Sequence, residues 1–352
     1  MANGDICPFV GHNAFLRWRA VQDAAAHTDP DDGQEKYWSE SHVSEDFDMA
    51  LRLQGAGYQL RFAAYSAGGF QEGVSLTVYD ELARWEKYAY GCNELLFHPL
   101  RFWIVRGPFA PVFKQFLFSR INFYHKLTIV AYIGTYYAIG AGWVLVLLNY
   151  FLTGWFFGLY DKYYIDSFAV WLSVVVVFAG VGNLALAVLR YRLGEAGILH
   201  GSKSPIPFPH TLPPNPNIHL TTSSQCTQAN RAPVWNNFKW IPLFTIFLGG
   251  LSLHMSKALL CHFFEIDIQW GATAKEAEQV NFLEEVPKIL RGFAGTFIFC
   301  IGCTALMVVA YHFFPREWRI QTFASIFPLG MLVGSSFCVP VLLNPALMKF
   351  TF

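Results

Sequence analysis

Charge is what this chain has least of. Among 352 residues 14% are charged, with 25 Lys and Arg against 25 Asp and Glu, so the formal net charge is zero. Soluble domains carry roughly 25% charged residues, and the deficit points to lipid. A nucleic-acid partner would show as a basic excess, which is missing. A regular cysteine framework is missing too. The seven cysteines are odd in number and scattered, which argues against a disulfide scaffold. Cys300-Ile301-Gly302-Cys303 matches C-x-x-C, but it lies within an apolar run with no second ligand pair, and no metal is assigned to it. Met1-Ala2-Asn3-Gly4-Asp5 has neither a basic nor an apolar leader region, so no cleavable signal peptide is expected and insertion rests on internal segments.

Apolar sequence is what the chain has in excess, at 54% hydrophobic and 17% aromatic. Apolar runs at about 129–150, 167–189, 240–263, 293–314 and 323–343 each approach the length of a membrane-crossing helix. The expected organisation is a soluble part over 1–92 with alternating strand and helix signals, then interfacial amphipathic helices over 93–125. Two transmembrane helices follow over 126–192, a Pro-rich disordered loop over 193–238, and three transmembrane helices over 239–352. In 100–120, Phe102, Trp103, Ile104, Phe113 and Phe116 alternate with Arg101, Arg106, Lys114 and Arg120, a mixture suited to the headgroup layer. Lys114, Arg120 and Lys126 precede the first span, and Arg190, Arg192 and Lys203 follow the second. The soluble part is therefore expected on the cytoplasmic side, and simple alternation puts 264–291 outside.

Two clusters carry candidate chemistry. Ser44-Glu45-Asp46 opens an amphipathic stretch that Gly55 or Gly57 ends, and Tyr58-Gln59-Leu60-Arg61-Phe62 alternates like a strand. Ser44 suits an N-cap, and Glu45, Asp46 and Asp48 suit the positive end of a helix. These acids therefore read either as capping residues or as a fixed general base able to reach a substrate hydroxyl. Asp46-Phe47-Asp48 is a literal D-x-D, but a helical i, i+2 pair points to different sides and suits a metal-nucleotide poorly. In the second cluster Arg84, Lys87, Tyr88 and Gly91 fall on one helical face. Cations there would neutralise a diphosphate and rings would stack on a sugar; the plain alternative is a helix packing its aromatics inward.

Residues 8–92 resemble the acceptor half of a family 2 inverting glycosyltransferase of the cellulose, chitin and hyaluronan synthase kind. Pro8-Phe9-Val10-Gly11-His12-Asn13-Ala14-Phe15-Leu16-Arg17 resembles the segment that lines the acceptor site there, through Gly11, His12 and Asn13. Ser44-Glu45-Asp46 matches the [TS]-E-D motif, which implies Asp46 as the catalytic base with Glu45 beside it. Arg84-x-x-Lys87-Tyr88-x-x-Gly91 fits the spacing of Q-x-x-R-W followed by x-x-G, whereas Glu81-x-x-Arg84-Trp85 is a rival register. The family's Gln is absent from both. Trp270-Gly271-Ala272-Thr273-Ala274-Lys275-Glu276 is similar to the gating loop that closes over the nucleotide, with Thr273 and Lys275 as its contacts. That loop would be cytoplasmic, against the alternation above.

The resemblance implies an α/β GT-A-type fold, present here as its acceptor half and followed by an α-helical multi-pass region. It implies a UDP-sugar donor, a glycan acceptor, a lipid bilayer as surroundings, and a homo-oligomer or partner subunit. A divalent metal (Mg or Mn) is expected for the full enzyme, with ligands outside this chain, because the donor half would lie upstream. The chain is thus expected to be N-terminally truncated, and either inactive alone or the product of a truncated gene model. The alternatives are a degenerate, non-catalytic partner of a polysaccharide synthase and, third, a transporter, disfavoured by the lack of mid-span charges. The implied location is the plasma membrane or an endomembrane.

Overall fold

The computed structural model describes residues 9, 14–24, 27–28, 33–39, 42–61, 78–185, 188, 238, 241–268 and 282–342. Gly11, His12, Asn13, Thr273, Lys275 and nearly all of the Pro-rich segment 193–238 lie outside them. The chain divides into two units, residues 1–151 with 247–352 and residues 152–246.

The first unit opens with α1 (Trp18–Ala24) and a two-residue antiparallel pair, β1 (His27–Thr28) and β2 (Glu35–Lys36). Helices α2 (Glu45–Gly55) and α3 (Val78–Leu96) follow. The described residues are mostly helical, and β1–β2 is their only sheet. The strand expected from Tyr58 onward does not form in the described stretch to Arg61, which has no ladder. Tyr58 instead completes the end of α2. Gly57 takes φ +92°, its N–H bonds Gln54 O at 2.9 Å, and Tyr58 N–H bonds Leu53 O at 3.0 Å. This is a Schellman closure, where glycine takes the left-handed position without a Cβ penalty.

A 3₁₀ turn (Leu100–Phe102) leads into α4 (Trp103–Arg106), and α5 (Pro111–Phe118) follows with Pro111 at its start. Helix α5 packs Phe113 and Phe116 inward, against α2 and α3. The long α6 (Phe123–Val175) kinks at Phe156 and crosses into the second unit. There the run expected at 167–189 stays helical to residue 185, through a π-helical stretch at Val176–Val181; over 157–175 only its backbone is described. After the Pro-rich segment come α7 (Ile241–Gly250), α8 (Ser252–Phe263), α9 (Phe282–Gly292), α10 (Ala294–His312) and α11 (Phe323–Leu342). Residues 282–290, expected as the end of a loop, are helical.

Among the described residues, four helical stretches are long and apolar enough to cross a membrane: Phe123–Phe156, Ile241–Phe263, Ala294–His312 and Phe323–Val341. Their outer faces are apolar, with Ile298 and Ile301 about seven-tenths exposed. Lipid, not water, is the solvent that such faces tolerate. Among themselves the helices use small residues and short polar bonds. Trp143 N–H donates to Ser252 Oγ (2.9 Å), Trp143 Nε1 to Ser256 Oγ (2.8 Å), and Ser256 Oγ to Gly140 O (2.6 Å), joining α6 to α8. Close backbone approach of this kind is the usual adhesive between membrane helices. Tyr150, Cys303, Ala310, Ile320, Leu329 and Leu332 form a buried cluster between α6, α10, α11 and the α10–α11 connection.

Gly250 shows how tight this packing is. A Cβ there would run into Val339 Cγ2 and sit 3.1 Å from Ser335 O. Gly250→Val is expected to destabilise the helix assembly by about 1–3 kcal/mol, measured as a lower melting temperature of the detergent-solubilised chain. An unchanged melting temperature would show that α7 and α11 do not meet here.

Candidate functional site

Helices α2 and α3 meet at the start of α2. Gly91 carries that contact: a Cβ on it would collide with Ser44 Oγ and lie 2.7 Å from Ser44 Cβ. One turn further along α3, Glu94 Oε2 accepts the Val43 N–H at 2.8 Å, and Glu94 Oε1 lies 3.8 Å from His42 Nδ1. The chain entering α2 is therefore fastened to α3 by a glycine notch and a carboxylate. Ser44, expected to cap α2 with its side chain, makes no such bond, because its hydroxyl faces Gly91 instead.

Beside this junction lies a pocket of about 60 Å³, lined by Phe9, Val43, Ser44, Glu45, Asp46, Phe47, Lys87, Tyr88, Cys92 and Tyr132. The two clusters singled out in the sequence thus share one cleft, reached also by Phe9 from the N-terminal segment. Asp46 Oδ1 accepts a hydrogen bond from Trp38 Nε1 at 3.1 Å, which fixes the carboxylate's orientation. Asp48 points elsewhere: it is buried and pairs with Arg52 at 2.6 Å, while Arg52 Nη2 also donates to Tyr37 O. Asp46 and Asp48 therefore do not act as a pair, and the triplet does not suit a metal. Among the described residues no group of three or more His, Cys, Asp or Glu is arranged to hold a metal ion.

The basic-aromatic cluster divides in two. Lys87 and Tyr88 line the pocket. Arg84 turns back along α3 to Glu81, at 2.6 Å, and Trp85 Nε1 donates to the same carboxylate at 2.9 Å. The Trp85 ring meets Tyr136 of α6 and Phe247 of α7 edge-on, at 6.1 and 5.9 Å. Glu81, Arg84 and Trp85 of the rival register thus contact one another, and of the first register only Lys87 and Tyr88 line the pocket, Arg84 being common to both. Cys92 is no nucleophile: burial pushes its thiol up to about 12, so the thiolate is absent at neutral pH.

Trp38, His42, Glu94 and Tyr132 belong to this neighbourhood and carry no sequence signal of it. Glu94 follows Lys87 and Gly91 at i+7 and i+3 of the same helical stripe, which is the one hint that sequence offers.

Burial opposes a charge on His42, but the Glu94 carboxylate, helped by Asp48, outweighs it and raises His42 above its ordinary 6.5. A raised folded-state value means that the protonated form stabilises the fold below 6.5 and that this contribution is lost as pH rises through the raised value. Melting curves of the wild type and His42→Gln should therefore differ at acidic pH and converge at alkaline pH; a constant difference would remove the ion pair from the account. Gly91→Ala should cost about 1–3 kcal/mol of stability through overpacking, and Ser44→Gly in the same chain should restore part of it.

A family model described as glycosyl transferase family group 2 matches residues 1–186, slightly more than half of the chain. No curated protein and no solved structure matches. The matched stretch contains the whole pocket, both motifs and the start of the apolar region. Membership follows from that extent, and the chain belongs to glycosyl transferase family group 2.

Proposed function

We propose that this chain is a membrane hexosyltransferase that moves a sugar from a UDP-sugar to a growing polysaccharide with inversion, Asp46 acting as general base. The observation that carries this reading is the single pocket shared by Asp46, Lys87 and Tyr88. Asp46 takes the proton of an acceptor hydroxyl, whose oxygen attacks the anomeric carbon. The bond to UDP breaks, and the diphosphate leaves with its electron pair. Lys87, facing the same cleft, steadies that charge; Arg84, drawn back to Glu81, contributes from further off. Tyr88, which lines the pocket, or Trp85 supports the acceptor ring. Glu45 lines the same pocket; the resemblance assigns Gly11, His12 and Asn13 to acceptor binding and Thr273 and Lys275 to the nucleotide. Acceleration comes from positioning and charge stabilisation. The resemblance implies a divalent metal for the full enzyme; Asp46 and Asp48 are unsuited to hold one, and no step is routed through it.

The fold that completes the site is proposed to be of the α/β GT-A type, with its catalytic side cytoplasmic, in the plasma membrane or an endomembrane. Packing of α8 supports that topology. Glu86, buried on α3, accepts from His254 Nδ1 at 2.8 Å and from Lys257 Nζ at 3.4 Å. Asn93 Nδ2 donates to Leu259 O at 3.0 Å. A helix bound so closely to α3 favours keeping residues 264 onward on the catalytic side, where a gating loop is needed.

Asp46→Asn tests the assignment. Sugar transfer by membranes carrying the full chain is expected to fall by a factor of about 10²–10⁴, with insertion and melting temperature unchanged. Retained synthesis would remove Asp46 as the base. A wild-type chain that transfers no sugar even with its natural partners present would favour the non-catalytic partner.

A further inference from the structure

The turn between α3 and α5 presents a surface that sugar transfer does not use. From residue 95 to residue 160 the chain contains no Asp or Glu, yet it carries Arg101, Arg106, Lys114, Arg120 and Lys126 within that stretch. Helix α4 projects Ile104 at 98% exposure and Val105 at 82%, and Phe118 at the end of α5 is 83% exposed. Side chains of this kind are seldom left fully in water as a group, and an exposed apolar patch rimmed by charge marks an interaction surface. The turn is held firmly. Trp103 Nε1 donates to His98 O at 2.7 Å, and the indole packs on Phe97 and on Phe263 at the end of α8. Arg101 and Arg106 both place their guanidinium groups over the Phe102 ring, at 4.5 and 4.7 Å. Arg101 also pairs with Glu265 at 2.5 Å, so Arg106, Lys114 and Arg120 carry the outward positive charge. The apolar stretch of α6 begins at Phe123, three residues beyond Arg120.

We infer that this face is a binding surface for anionic phospholipid. Ile104, Val105 and Phe118 enter the acyl boundary, and Arg106, Lys114 and Arg120 engage headgroup phosphates and carboxylates. Apolar insertion and basic attraction are the two signals that stable interfacial binding combines. A zwitterionic surface offers phosphates too, but its headgroup cations cancel the net attraction on which the second signal depends. An acidic protein would satisfy the cations, but an occupant lying next to the start of a membrane-crossing helix is the bilayer itself.

The full chain in nanodiscs tests this in two ways. Spin-labelled phosphatidylserine should show a larger protein-immobilised fraction than spin-labelled phosphatidylcholine, by up to roughly fivefold per engaged cation. High salt, or Arg106→Gln with Lys114→Gln and Arg120→Gln, should abolish the difference. Equal immobilisation of the two lipids in the wild type would overturn the anionic assignment. Separately, a nitroxide on Ile104→Cys, after subtraction of the unsubstituted chain's signal, should be reached by oxygen and shielded from a nickel chelate. A water-accessible label would overturn insertion and leave the face to an acidic protein. The substitutions lie at exposed positions, and neither readout depends on sugar transfer.

Discussion

Gly91 brings two helices closer than any side chain would allow, and the candidate site depends on that closeness. With no Cβ at this point of α3, Ser44 settles against the helix backbone and the turn entering α2 lies along α3. Glu94 then reaches the Val43 N–H, satisfying a backbone donor at a helix entrance that would otherwise need a cap. Only because α2 starts here do its first acids face Lys87 and Tyr88 across one pocket. The carboxylate is aimed by Trp38, so its orientation is set by a loop rather than by α2 alone.

Helix α3 meets α2 and α8 through two separate stripes of residues. Lys87, Gly91 and Glu94, at i, i+4 and i+7, face the pocket and the entrance of α2. Glu86, Tyr90 and Asn93 repeat the same spacing a quarter-turn away and face α8. The second stripe is polar where it is buried, and its carboxylate meets a histidine and a lysine. A buried carboxylate left without partners would be costly, so the match restricts α8 to one register against α3. Asn93 extends the link to α6 by accepting from Tyr137 at 2.5 Å. The same helix thus touches both the pocket and the apolar helices.

The apolar helices obey the complementary rule. Outward they show aliphatic and aromatic side chains, and inward they use glycine and serine at close crossings. Lipid provides no hydrophobic drive for one apolar helix to join another, so short hydrogen bonds and backbone proximity do that work. The basic, aromatic turn beside α6 belongs to the same logic, because it lies where apolar and polar surroundings meet.

Much of this was legible in the sequence. Apolar runs of sufficient length coincide with the four apolar helical stretches, since bilayer thickness sets a length that composition reveals directly. Helix α2 occupies the stretch after Ser44 and closes through Gly57, as local residue preferences dictate. Periodicity also grouped Lys87, Tyr88 and Gly91 on one face. It did not distinguish them from Arg84, which turns back to Glu81, because periodicity reports a direction and not a partner. Tyr58–Arg61 alternates like a strand yet forms none among the described residues, since a strand exists only with a hydrogen-bonded neighbour. The contact that fixes the site's helix entrance spans 51 residues from Val43 to Glu94, and the one that ties α3 to α8 spans 168 from Glu86 to His254. Helix positions follow from nearest-neighbour chemistry, which the sequence holds by itself. Pairing across such distances is decided by which surfaces fit when the chain closes, and that only the tertiary structure determines.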